Sequence, residues 1–191
     1  YTTPWESYLI SRGVWGYADG TVSGALFFVP VEELLFMVLQ PVRAALWLSL
    51  LPEPSTPPVG VSAKQRLLGV GAGALVGVTG LALLSVGTRT FYLGAILAWA
   101  APVLAVQWGF GWPYLWAARR TFVAAVAVPM LYLWIVDRVA LQLGVWYISP
   151  VYTTGLTLGS LPVEEATFFL VTTMFVVQGL MLFLWVAGRW R

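Results

Sequence analysis

Two short runs put acids where acids are expensive. Pro30-Val31-Glu32-Glu33 and Pro162-Val163-Glu164-Glu165 each place adjacent glutamates at the head of a long apolar stretch. Proline in a first helical turn followed by carboxylates is a good helix start. The missing amide N–H is not needed there, and negative charge suits the positive end of the helix dipole. Capping accounts for one such run. Two runs beside hydrocarbon point further, because carboxyl groups inside a membrane mark function by default. Burial raises a carboxyl pKa, and a second carboxylate close by raises one of the two again. Such a pair holds one proton at neutral pH and leaves one anion, which makes it an acid and base set. Glu32, Glu33, Glu164 and Glu165 are the candidate proton-transfer residues. Donor and acceptor stay interchangeable at this level.

The composition removes most other chemistry. The chain has no Cys and no His, so disulfides, thiol nucleophiles, imidazole bases, haem on His and Cys/His zinc sites are excluded. No metal site is expected. The net charge of +2 and its scattered basic residues give no nucleic-acid footprint. Of 191 residues, 60% are apolar and 9% charged, and the mean hydropathy is +0.84. A soluble domain carries about 25% charged residues. The sequence therefore implies an all-α polytopic membrane protein. No signal peptide is visible, and an opening Tyr1 suggests a missing or processed amino terminus.

The elements that must position the acids are spans of roughly 20 apolar residues. Five stretches qualify: Pro30 to Leu51, Arg66 to Val86, Thr90 to Gln107, Thr121 to Leu143 and Leu161 to Ala187. Trp5 to Val14 reads as the tail of an earlier helix. Pro52 to Pro58 is a polar, proline-rich loop. Lys64, Arg66, Arg119, Arg120, Arg189 and Arg191 fall on one side, which the positive-inside rule makes cytoplasmic, with the carboxyl terminus. Every acid except Glu53 lies toward the opposite side. Gly69, Gly73 and Gly77 form a small-residue stripe suited to close helix packing. A dinucleotide fingerprint at Gly71 and Gly73 is the weaker reading, since no strand precedes them and no acid follows at the right distance.

The acids sit in an internal repeat. Glu6, Gly13-Val14-Trp15, then Pro30-Val31-Glu32-Glu33 and Phe36 match Asp137, Gly144-Val145-Trp146, then Pro162-Val163-Glu164-Glu165, Phe168 and Phe169. The acid-to-Trp spacing is the same in both. With three helices between the Pro-Val-Glu-Glu elements, both open from one side of the membrane, as in a parallel repeat. Residues 1–51 then form the end of a first unit. Residues 52–88 are loop and connector helix, and 89–191 are a second unit, all in one membrane domain. A complete chain would have about seven spans. Glu6 and Asp137 are supporting acids. Arg12 and Arg138 lie beside them as ion-pair partners or interfacial anchors. Trp15, Tyr17, Trp146 and Tyr147 fit an interfacial belt, or a lining that faces a cation, with Phe36 and Phe169. Whether the units form one site or two stays open.

These residues carry a resemblance. TPWESYLISRGVWGY, VPVEELLFMVLQP and LPVEEATFF make the chain similar to the small membrane lycopene cyclases of the heterodimeric bacterial and fused archaeal–fungal type. The resemblance covers residues 1 to 51 and about 130 to 187, and the doubled Pro-x-Glu-Glu pair is its hallmark. It implies cyclisation of lycopene to gamma-carotene and beta-carotene by redox-neutral protonation, ring closure and deprotonation. It implies no cofactor, and no flavin fingerprint is present. The implied partners are a lipid-soluble carotenoid and membrane lipid, with phytoene-pathway enzymes as further candidates. The cell membrane is the expected location.

Two other function classes fit some of the same residues. A proton-coupled transporter would suit parallel repeats and buried acids, but few polar residues continue to the far side. A non-catalytic carotenoid-binding subunit would hold pigment with unchanged ends. Within the enzyme class, a cyclase of longer, prenylated carotenoids fits equally.

Overall fold

A computed structural model describes residues 1–54 and 60–189. Part of the expected loop, residues 55–59, lies outside the described residues, as does Arg191. Among the described residues six α-helices make the bundle: α1 (Thr2–Ser11), α2 (Val31–Ser49), α3 (Ala63–Val86), α4 (Phe91–Ala117), α5 (Arg119–Gln142) and α6 (Val163–Arg189). Short strands β1 (Trp15–Tyr17), β2 (Ala25–Leu26) and β3 (Val29–Pro30) connect α1 to α2. Strands β4 (Trp146–Ile148), β5 (Thr157–Leu158) and β6 (Leu161–Pro162) connect α5 to α6.

Among the described residues, four stretches are long and apolar enough to cross a membrane: Ala63–Val86, Thr88–Ala117, Arg119–Gln142 and Val163–Gly188. The protein is a multi-pass helical membrane protein. Large apolar side chains such as Leu75, Leu81 and Leu46 stand exposed on helix surfaces, as lipid-facing residues do. The fifth expected stretch is helical as α2, but it carries Glu32, Glu33 and Arg43 and is not among the four.

Helix α4 runs past the expected end at Gln107 to Ala117. Gly111 bends the helix without ending it. Gly111 leaves helical geometry (φ −161°, ψ 32°), and Pro113 then falls in the first turn of the resumed helix, where no amide donor is needed. Helices α3 and α4 lie against each other along the small-residue stripe. A Cβ on Gly73 would come within 2.4 Å of the Ala105 Cα, and one on Gly69 within 2.3 Å of the Trp108 carbonyl oxygen. The glycines serve packing, and the dinucleotide reading falls.

The strands were not foreseen, because two- and three-residue segments carry no detectable period. They matter for placement. β1 and β4 pair antiparallel, with Trp15 opposite Ile148, Gly16 opposite Tyr147 and Tyr17 opposite Trp146. The flanking bonds are reciprocal: Ala18 N donates to Val145 O (3.3 Å), and Ser149 N to Val14 O (2.9 Å). Each strand follows a helix ended by a left-handed glycine, Gly13 (φ 68°) after α1 and Gly144 (φ 67°) after α5. Left-handed geometry at this position turns the chain and recovers helix-end carbonyls. Val14 N bonds Leu9 O and Val145 N bonds Ala140 O, both at 3.0 Å. The two hairpins, β2–β3 and β5–β6, then deliver the chain into α2 and α6.

Candidate active site

The strand pair brings the acid-bearing helices to one place. A cavity of about 240 Å³ is lined by Trp5 and Glu6 of α1, and by Trp15 and Tyr17 of β1. Glu32, Glu33 and Phe36 of α2, Tyr92 of α4, and Leu133, Val136, Asp137 and Ala140 of α5 continue the wall. Trp146 of β4 and Glu165, Phe168 and Phe169 of α6 complete it. Acids from α1, α2, α5 and α6 face a single space. Glu6, Asp137 and Glu165 are 3%, 6% and 2% exposed, so water does not screen them. Asp137 neighbours both Glu33 and Glu165, and Glu6 neighbours Glu33. One oxygen of Glu6 and one of Asp137 are buried without a hydrogen-bond partner.

The two glutamates of each pair do different things. Adjacent residues on a helix point about 100° apart. The first glutamate of each pair turns to the preceding loop. Glu32 Oε1 accepts from Ser23 N (2.9 Å), and Glu164 Oε1 accepts from Thr154 N (2.7 Å) and Thr154 Oγ1 (2.8 Å). The second turns to the cavity and meets a phenol. The Tyr17 hydroxyl donates to Glu33, and the Tyr92 hydroxyl donates to Glu165 Oε1 at 2.7 Å. Burial, with Glu33 beside it, pushes the Tyr17 phenol well above its ordinary value, so it stays a neutral donor.

Aromatic rings build the rest of the wall. Trp15 meets Trp146 edge-on with centroids 5.9 Å apart, and Trp5 stacks on Phe168 at 5.9 Å. Phe36 and Phe169 meet edge-on at 6.1 Å across α2 and α6. The site is an apolar, aromatic chamber with carboxyl groups set into it. It can donate a proton, accept one, and face a cation with aromatic surfaces.

Known proteins settle the family. A family model described as lycopene cyclase matches residues 89–184. The chain is 52% identical to a lycopene beta-cyclase of Halobacterium salinarum over 191 residues, covering all of this chain and 80% of that one. The chain belongs to the lycopene cyclase family. It is also 37% identical to bifunctional lycopene cyclase/phytoene synthases of Gibberella fujikuroi and Phaeosphaeria nodorum. Those matches span 94% and 95% of this chain and 32% and 33% of theirs. No solved structure matches.

Not every residue read from the sequence reaches this chamber. Glu164 is fully buried but is absent from the cavity wall, its Oε1 being committed to Thr154. Arg12 is exposed. It donates to the Tyr8 hydroxyl (2.8 Å), and its guanidinium lies 4.7 Å from the Phe91 ring centre. Arg138 follows Asp137 on α5, and that one step of rotation carries it to the exposed side. Tyr147 points away from the cavity because side chains alternate along a strand, and it packs over Gly16 instead.

Residues missed from sequence have identifiable signals. Leu133 and Ala140 share the helical face of Asp137, at spacings of four and three, and Val136 borders that face at three from Leu133 and four from Ala140. Trp5 precedes Glu6. Tyr92 had no signal, since it enters from α4, far along the chain and outside both motifs.

Proposed function

We propose that this member of the lycopene cyclase family is a lycopene beta-cyclase, converting lycopene to gamma-carotene and then beta-carotene. The observation that carries the reading is the convergence of Glu6, Glu33, Asp137 and Glu165 on one aromatic cavity at the ends of the apolar helices α4, α5 and α6. Carboxyl groups this close, in so apolar a space, share protons rather than all ionise. A neutral carboxylic acid and a carboxylate are then present together.

The chemistry follows. A carboxylic acid protonates the terminal double bond of the polyene and leaves a tertiary cation. The next double bond attacks that cation, closes a six-membered ring and moves the charge onto the ring. A carboxylate removes a ring proton, and the ring double bond forms. One proton is added and one lost, so the product is an isomer and no electrons leave the substrate. Trp15, Trp146, Phe36 and Phe169 face the cation, whose charge their rings attract. The substrate is lipid-soluble, so it reaches the chamber from the bilayer.

In this reading Glu33 and Glu165 carry the proton transfers, with Glu6 and Asp137 setting how protons are shared. Glu32 and Glu164 hold the loops before α2 and α6. The α1–β1–α2 and α5–β4–α6 segments are copies about an axis through the Gly16–Tyr147 pair in this reading. Helix α2 is treated as a fifth span, and the basic ends of α3 and α5 as cytoplasmic. One shared chamber serves both ends of the carotenoid in turn. The test is pigment chromatography of a lycopene-accumulating host that expresses the chain. Cyclic-ended carotenoid is expected, and lycopene with unchanged ends would overturn the reading.

A further inference from the structure

The second glutamate of each pair, Glu33 and Glu165, is met by a phenol, and the two phenols come from unrelated elements. Tyr17 lies on β1, and Tyr92 opens α4. Tyr17 donates to Glu33, and Tyr92 donates to Glu165 at 2.7 Å. Both rings also line the cavity. The loop-facing glutamates have no such partner, being held by Ser23 and Thr154. We propose that Tyr17 and Tyr92 are positioning residues for proton transfer, each holding one oxygen of its glutamate so that the other oxygen serves the substrate. This rests on the cyclase reading above.

The chemistry of a carboxyl group supports the role. A protonated carboxyl has one acceptor oxygen and one O–H. A phenol that donates to the first leaves the proton on the second. Once the proton has gone, the same phenol bonds a carboxylate, and that charge-assisted bond is shorter and stronger. The phenol therefore favours both the aim and the outcome of donation. On a glutamate acting as base, the same bond holds the accepting oxygen in place. Tyr92 is 3% exposed, so its hydrogen bond is shielded from bulk water.

The two tyrosines are not copies of one another. The residue of β4 at the place corresponding to Tyr17 is Ile148, which carries no donor. Glu165 takes its phenol from α4 instead. The same donor reaches the second glutamate of each pair by two different routes, while the loop-facing glutamates take backbone amides. That recurrence points to a requirement of the chemistry and not to inherited geometry alone.

Tyr92→Phe and Tyr17→Phe remove the hydroxyl and keep the ring. Tyr132→Phe, at an exposed tyrosine outside the cavity, is the control. In each cavity variant kcat is expected to fall about tenfold, with KM within about twofold, as loss of a hydrogen bond to a reacting group requires. In Tyr92→Phe the infrared stretch of the protonated carboxyl that Glu165→Gln abolishes should also move to higher frequency. An unchanged kcat and an unmoved band, or a rise in KM alone, would overturn the assignment. The infrared band decides the hydrogen bond even if the wild type yields no cyclic product. That second result would fall on the cyclase reading instead.

Discussion

Trp15 and Trp146 meet edge-on at 5.9 Å, one from each strand of the β1–β4 pair, and both rings line the chamber that holds the acids. The pairing fixes both strands, and so brings α1 and α5 to the same cavity. A ring pair here does two jobs: it closes the chamber and presents π-surface to positive charge.

Replacing either tryptophan by leucine keeps an apolar side chain and removes that surface. Trp146→Leu is expected to lower kcat about tenfold, equivalent to ~1.4 kcal/mol of lost cation attraction. Trp146→Phe should retain most of the activity. Steady-state kinetics on purified protein check this, and equal rates for the leucine and phenylalanine variants would contradict the cation-facing role.

Glu164 separates holding from reacting. Glu164→Ala removes the partner of the part-buried Thr154 amide and hydroxyl. It is expected to cost about 1–3 kcal/mol of stability. Glu164→Gln keeps an acceptor and should cost less. Both should retain far more activity per folded molecule than Glu165→Gln. Thermal melts alongside product assays read both quantities.

Gly73→Leu tests the seam between α3 and α4. A side chain there would run into Ala105, within 2.4 Å at its first carbon. The helices must move apart, and the protein should accumulate poorly in membranes or melt at lower temperature. Gly71→Leu, at a neighbouring glycine with open space around it, should be tolerated.

The shared chamber makes a prediction about order. Acids of α1, α2, α5 and α6 line one cavity of about 240 Å³, so in the cyclase reading the two ends of the carotenoid react one after the other. The monocyclic product should therefore rise and pass through a maximum before the dicyclic product dominates. A time course of extracted pigments shows this. Dicyclic product appearing from the outset, with no monocyclic phase, would contradict a single chamber.

The sequence carried much of this because its strongest signals were local. The Pro-Val-Glu-Glu runs marked the starts of α2 and α6, and Gly-Val-Trp marked the turns before β1 and β4. Five of the six aromatic residues read as lining do line the cavity. Tyr147 does not, because strand alternation needs a strand to be recognised first, and three residues are too few to show one. The division of labour within each glutamate pair was also out of reach. It depends on which side chain meets a loop amide and which a phenol, and the Tyr92 phenol is supplied from α4. Arg12 and Arg138 were drawn in by sequence proximity to acids, whereas rotation around a helix separates near neighbours.

The central claim is that the second glutamate of each pair moves the proton. Glu33→Gln and Glu165→Gln keep size and hydrogen-bonding shape while removing the titrating group. Expressed singly in lycopene-accumulating cells, each should cut cyclic product at least ~100-fold while the protein still accumulates in membranes. Wild-type yields of cyclic carotenoid from both variants would contradict the account.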